Sequence, residues 1–196
     1  MEGETISNNT VNAVVTNSTG GGVYVDGTFT MNDGIISNNN VDAYQTFGGG
    51  VYVNGNLTIK SGVIEENNGS GIYFTGTTLN MNGGLIRGNT RRGIIMVSGY
   101  FLMRDGTITG NNGGISWINY QVFNKSGGII YGYSEGDHNS NALKNSSGII
   151  QNERGNAILL ESGIITKRKE TNSGLLDNLS FIGTLNPPIL DGKWDY

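Results

Sequence analysis

The feature that most constrains this chain is that it repeats itself. Three segments open almost identically, Gly21-Gly22-Val23-Tyr24-Val25, Gly49-Gly50-Val51-Tyr52-Val53 and Gly71-Ile72-Tyr73-Phe74, and Gly93-Ile94-Ile95-Met96 is a degenerate fourth copy. Each is followed by an apolar pair two apart: Phe29 and Met31, Leu57 and Ile59, Leu79 and Met81, Phe101 and Met103. Seven residues after the first of each pair stands an Ile (Ile36, Ile64, Ile86, Ile108), and Phe123 and Ile130 keep that offset. Three residues past the Ile comes an Asn at 39, 67, 89 and 111, and Ile6 with Asn9 matches the same ending. The Ile series runs 6, 36, 64, 86, 108, 130, 150, 165, with intervals of 30, 28, 22, 22, 22, 20 and 15. A constant unit of 22 residues with a variable excess between the Asn and the next Gly-Gly means a fixed structural unit carrying loops of different length.

Each unit holds three short apolar stretches, two of them alternating with period 2, separated by Gly turns such as Asp26-Gly27, Ser61-Gly62 and Asp105-Gly106. No unit offers the 10 to 12 uninterrupted residues that a helix needs. Leu-x-x-Leu-x-Leu, which would mark a leucine-rich repeat, is absent. Three short strands per unit, running in one direction, predict a parallel β-solenoid. One coil cannot bury its apolar side alone, so coils stack and like residue falls on like. Three apolar ladders follow: Phe29/Leu57/Leu79/Phe101/Phe123, Met31/Ile59/Met81/Met103 and Ile36/Ile64/Ile86/Ile108/Ile130/Ile150. The Asn at 9, 39, 67, 89 and 111 falls where the chain turns. An amide carries both a donor and an acceptor, so a stack of them can bond rung to rung.

Composition narrows the chemistry. Gly supplies 33 of 196 residues, well above the usual share of about 7%, while Pro is only 2, so this is no collagen. A net charge of −4 argues against a nucleic-acid binder, which needs a basic stripe. No apolar run approaches a membrane span. Zero Cys excludes disulfides and thiolate sites, and the single His138 excludes His-pair metal motifs. No cofactor and no metal is expected. In the loop 135–141, Asp137-x-Asn139-x-Asn141 alternates like a calcium loop, but Ala142 replaces the required Gly and Gly148 the required Glu.

The Asn at a turn, together with Gly-Gly-[Val/Ile]-Tyr followed by Gly-x-Ile-x-x-Asn, resembles the right-handed parallel β-helix proteins of the pectate-lyase-like superfamily. The pattern is most similar to the β-helix repeats of bacterial surface and autotransporter-type adhesins. It covers residues 3 to about 130 well and 131–165 loosely. The resemblance implies a single-stranded right-handed parallel β-helix of about seven coils of ~22 residues with variable loops. Residues 1–165 form the β-helix, regular to about 130, and 166–196 form a C-terminal tail that caps the last coils. The chain begins inside a repeat, so it reads as a fragment of a longer array, with end-to-end or tail-mediated association available.

Enzymes of this superfamily use stacked carboxylates or carboxylate-bound calcium. No site here collects two carboxylates on adjacent coils, and Glu65 falls beside Arg87 as an ion pair, so no catalytic residue is assigned. Two outward features remain. In a Val-Tyr-Val strand with both Val inward the Tyr points out, so Tyr24, Tyr52 and Tyr73 form a surface row, either a sheet-stabilising stack or a strip for sugar rings or a protein. Arg87, Arg91, Arg92 and Arg104 fall on neighbouring coils and could meet an anionic glycan, or simply form a solvated turn. A weaker outward row of Thr28, Thr30, Asn56, Thr58, Thr78 and Asn80 would suit an ordered crystal or ice surface. The expectation is a non-catalytic, secreted or cell-surface bacterial module of adhesin or stalk type, binding glycan or host or cell-surface protein along its side. The alternative is a polysaccharide lyase or glycoside hydrolase.

Overall fold

A computed structural model of the chain describes residues 1–13, 18–43, 46–117, 122–131, 143–145, 158–160, 164–167, 178–180 and 193–195. The chain is all β, with no helix among the described residues. Most strands join one large, mainly parallel network in which each strand pairs with its counterpart one repeat later. Val23–Met31 and Val51–Ile59 pair in unbroken register, Val23 on Val51 through Met31 on Ile59. The next repeat splits the same span into Ile72–Phe74 and Thr78–Arg87, each in register with Val51–Ile59. Tyr100–Thr109 follows on Thr78–Arg87.

Period-2 alternation decides what lies inside. Val51, Val53, Ile72, Phe74, Ile94 and Met96 are buried on one wall, and Leu57, Ile59, Leu79, Met81, Phe101 and Met103 on the next. The Phe/Leu ladder runs as the repeat predicts, Phe29 on Leu57, Leu79, Phe101 and Phe123, and the Phe101 and Phe123 rings stack at 4.8 Å. The Ile ladder likewise runs through Ile6, Ile36, Ile64, Ile86, Ile108 and Ile130. Met1 joins the Met31/Ile59/Met81/Met103 rungs, since its Cε lies 2.6 Å from where a Cβ on Gly34 would sit, as Met31 Cε does at Gly62.

Positions 8, 38, 66, 88 and 110, one before each turn Asn, all take left-handed backbone, with φ of 58°, 55°, 54°, 64° and 63°. Asn and Gly hold that conformation at least cost, which explains Asn8, Asn38, Gly88 and Gly110; Glu66 holds it against its side chain.

The variable excess is more ordered than a loop reading predicts. Thr10–Ala13 pairs parallel with Asn40–Ala43, and Ser18–Thr19 with Thr46–Phe47. The two longest units carry an excess of nearly equal length, so their extra residues stack on each other as well.

Past residue 131 the series departs from expectation. Ile158–Leu160 stacks directly on Ile115–Trp117, and Ile164–Lys167 on Val122–Lys125. Leu143–Asn145, earlier in the chain, lies outside Ile158–Leu160. Ile165 therefore falls on Phe123, in the Phe/Leu ladder, and does not extend the Ile ladder. The free side of Ile129–Tyr131, where Ile150 was expected, is taken by Lys193–Asp195 running antiparallel. Ile150 itself and the whole loop 135–141 lie outside the described residues. From the tail, the two described strands both pair antiparallel: Asn178–Ser180 on Ile164–Lys167, and Lys193–Asp195 on Ile129–Tyr131.

Candidate functional site

The turn ladder is inward and self-contained. Asn39, Asn67, Asn89 and Asn111 are 0–2% exposed. Each Oδ1 accepts twice from the preceding Asn. Asn67 Oδ1 takes the backbone N–H of Asn39 and its Nδ2, both at 3.0 Å. At Asn39, Asn67 and Asn89 the Nδ2 donates forward to the next Oδ1 and back to the Ile carbonyl of the preceding coil; Asn67 Nδ2 reaches Asn89 Oδ1 at 2.9 Å and Ile36 O at 3.1 Å. Asn39 and Asn89 repeat both bonds, Asn9 makes the forward bond to Asn39 Oδ1, and Asn111 makes the backward bond to Ile86 O. Two backbone groups that a turn would otherwise strand, one N–H and one C=O, are satisfied at every rung. The second Gly of the repeat motif closes over this stack. A Cβ on Gly22, Gly50, Gly71 or Gly93 would come within 2.9 Å of the Nδ2 of Asn39, Asn67, Asn89 or Asn111.

The outward aromatic row exists as a true stack. Tyr24 and Tyr52 have ring centroids 5.2 Å apart and planes 1° apart; Tyr52 and Tyr73 are at 5.7 Å and 9°. Parallel rings this close overlap face to face with an offset rather than lying side by side. The faces of Tyr52 are thus occupied by its neighbours. The row presents ring edges and hydroxyls outward, and the outer face of Tyr24, 58% exposed, is the open one. Beyond Tyr73 the row continues as Ile95 and Ser116. Thr75 Oγ1 donates to the Tyr52 hydroxyl at 3.3 Å, and Asn54 Nδ2 donates to Asp26 Oδ1 at 3.1 Å beside it. Burial, and secondarily the charge Tyr52 would carry, push the Tyr73 phenol above its ordinary value.

The four arginines do not gather at one place. Arg87 Nε meets Glu65 Oε2 at 2.7 Å across adjacent rungs. Arg92 Nη1 donates to Asn112 O at 3.0 Å, in the turn after the Asn ladder, and Arg91 lies beside it in that turn. Arg104 follows Met103 at the turn between the second and third walls, donating to Asn82 Oδ1 at 3.2 Å and Asn80 Oδ1 at 3.4 Å. The Thr/Asn positions do fall in register, Thr28 on Asn56 and Thr78, and Thr30 on Thr58 and Asn80, but the rows end in Tyr100 and Leu102.

Two features escaped the sequence reading. The residue before each ladder Ile forms an outward apolar row, Ile35, Val63, Leu85 and Ile129, broken by Thr107. Its signal was the doubled apolar pair Ile35-Ile36, Val63-Ile64, Leu85-Ile86. The second is Lys125, 0% exposed and on the rung after Met103. Its signal was its place two residues past Phe123, where every earlier unit has Met or Ile. Among the described residues no helix is long and apolar enough to cross a membrane. No family model matches the chain, and neither does any curated protein or solved structure.

Proposed function

We propose that this chain is a non-catalytic module of adhesin or stalk type, a right-handed parallel β-helix of about seven coils whose side binds glycan, carried on a secreted or cell-surface bacterial protein. In this reading residues 1–165 are the rod and 166–196 close its last coils; the antiparallel pairing of Asn178–Ser180 and Lys193–Asp195 supports that closure. The observation that carries the binding reading is the Tyr24–Tyr52–Tyr73 stack. It sets one hydroxyl-bearing ring edge per coil beside Thr75 and the Asp26–Asn54 pair. A regular file of hydrogen-bonding edges suits a polymer that is itself a regular file of hydroxyls. The open face of Tyr24 offers one terminal platform for a sugar ring.

Affinity electrophoresis through gels carrying neutral and acidic polysaccharides tests this. Retardation by at least one polysaccharide, lost when Tyr24, Tyr52 and Tyr73 are all changed to Ala, is the expected result. Unchanged mobility on every polysaccharide would remove the glycan reading. Release of reducing ends or of unsaturated uronate during the same incubation would replace it with the lyase or hydrolase alternative.

A further inference from the structure

We infer, resting on the glycan reading above, that the ligand of the Tyr24–Tyr52–Tyr73 row is a neutral, extended polysaccharide joined equatorially through C1 and C4. It lies along the stacking direction, one sugar to each coil. The three tyrosines are rung-mates in unbroken register, and their ring centroids step by 5.2 and 5.7 Å. The backbone beneath them repeats at the strand spacing of a parallel sheet, about 4.8 Å. A pyranose ring bonded equatorially at both C1 and C4 advances its chain by nearly the same length. Successive sugars of such a chain therefore keep pace with successive rungs. An axial bond at either carbon shortens that advance and curls the chain, so its later sugars leave a straight file.

The chemistry of the row fits the same chain. In an extended chain of this linkage alternate sugars are turned over, so one edge offers ring hydroxyls and a hydroxymethyl group by turns. A phenolic hydroxyl both donates and accepts, so one residue type serves every rung whichever edge it meets. Two residues past each Tyr, on the same outward side, stand Asp26, Asn54 and Thr75. They form a second polar file beside the first: Asn54 Nδ2 donates to Asp26 Oδ1 at 3.1 Å, and Thr75 Oγ1 to the Tyr52 hydroxyl at 3.3 Å. The sign of the charge sets the class. Asp26 is exposed on this wall, and none of the paired outward residues described there is Lys or Arg. A uronate or sulfated chain would bring its anions against that carboxylate with no cation in the row to meet them, and like charges set together repel.

The test is affinity electrophoresis of the full chain through gels of glucomannan, hydroxyethylcellulose, soluble starch and polygalacturonate. The first two are neutral and equatorially linked, starch is neutral and axially linked, and the last is axially linked and anionic. We expect the first two to retard the protein with about tenfold higher affinity than the others. Changing Tyr24, Tyr52 and Tyr73 together to Phe keeps the rings and removes the hydroxyls, and should weaken that retardation about tenfold. If this variant does not fold, competition on the wild type decides: cellohexaose should release it from the glucomannan gel where maltohexaose does not. Equal or stronger retardation by starch or polygalacturonate would overturn the substrate class and leave the glycan reading standing. Equal competition by the two hexaoses would do the same. Unchanged retardation of a folded triple Phe variant would overturn the hydroxyl file. No retardation on any gel would remove this inference and the glycan reading together.

Discussion

The two polar or aromatic ladders of this molecule share one period and differ in everything else. The Asn ladder is inside a turn, almost fully buried from Asn39 to Asn111, and bonded on both sides at its inner rungs Asn39, Asn67 and Asn89. The Tyr ladder is outside, held by ring overlap, and ends after three rungs in Ile95. Stacking alone does not make a ladder indispensable. A buried amide that loses its neighbour has no water to turn to, whereas an exposed ring does. The inner ladder should therefore behave as structure and the outer one as a replaceable surface.

The largest test of that contrast is Asn67→Ala. It removes the acceptor for two Asn39 donors and the donor to Ile36 O and Asn89 Oδ1. We expect a loss of about 3 kcal/mol in equilibrium unfolding. A melt unchanged within error would show that the bonds are incidental. Gly71→Ala attacks the same ladder from its cover. The added Cβ would meet Asn89 Nδ2, Gly93 O and Ile86 Cγ2, each at 2.8 Å. Overpacking of this kind should cost about 2 kcal/mol. A tolerated Gly71→Ala would mean that the turn gives way more easily than a closed coil should.

Lys125 sharpens the comparison from the other side. It is a polar group in a ladder otherwise built of Met and Ile, fully buried beside Met103. Moving an amine out of water costs more than any thioether does. Lys125→Met restores the chemistry of the rung and should stabilise the protein by about 1 kcal/mol, read as a raised denaturation midpoint at constant slope. A loss would show that the contacts made by the amine outweigh its burial.

How far the molecule was legible follows the same line between repetition and its interruption. Every rung from Ile6 to Ile130 could be placed by counting, because stacking puts like on like and each inward position announces itself in several copies. Counting failed at Ile165. A series of Ile residues does not show on which wall each one falls, and Ile165 pairs in register with Phe123, on the Phe/Leu wall rather than the Ile one. At the surface, alternation set Tyr24, Tyr52 and Tyr73 in one row, and the rings turn their faces to one another as a stack. The arginines fall on two neighbouring coils, as counting places them, with Arg104 at the turn before the third wall and Arg87 within that wall's strand.

The smallest effect belongs to the outer ladder and is a matter of pH. The Tyr73 phenol lies above its ordinary value of 10.0, first because it is partly buried and then because an ionised Tyr52 would repel its charge. A raised folded value for an acid means that the fold prefers the neutral phenol. That contribution is fully present below the unfolded value and is lost as pH rises through the folded one. Wild type should therefore lose melting temperature faster than Tyr73→Phe between about pH 9 and about pH 11. The two should agree near neutrality apart from a constant offset for the missing hydroxyl. The difference should be small, because a half-exposed ring keeps much of its hydration. Identical slopes would show that the stacked Tyr73 feels no more burial than it does in the unfolded chain, and the outer row would then be looser in solution than its ring geometry implies.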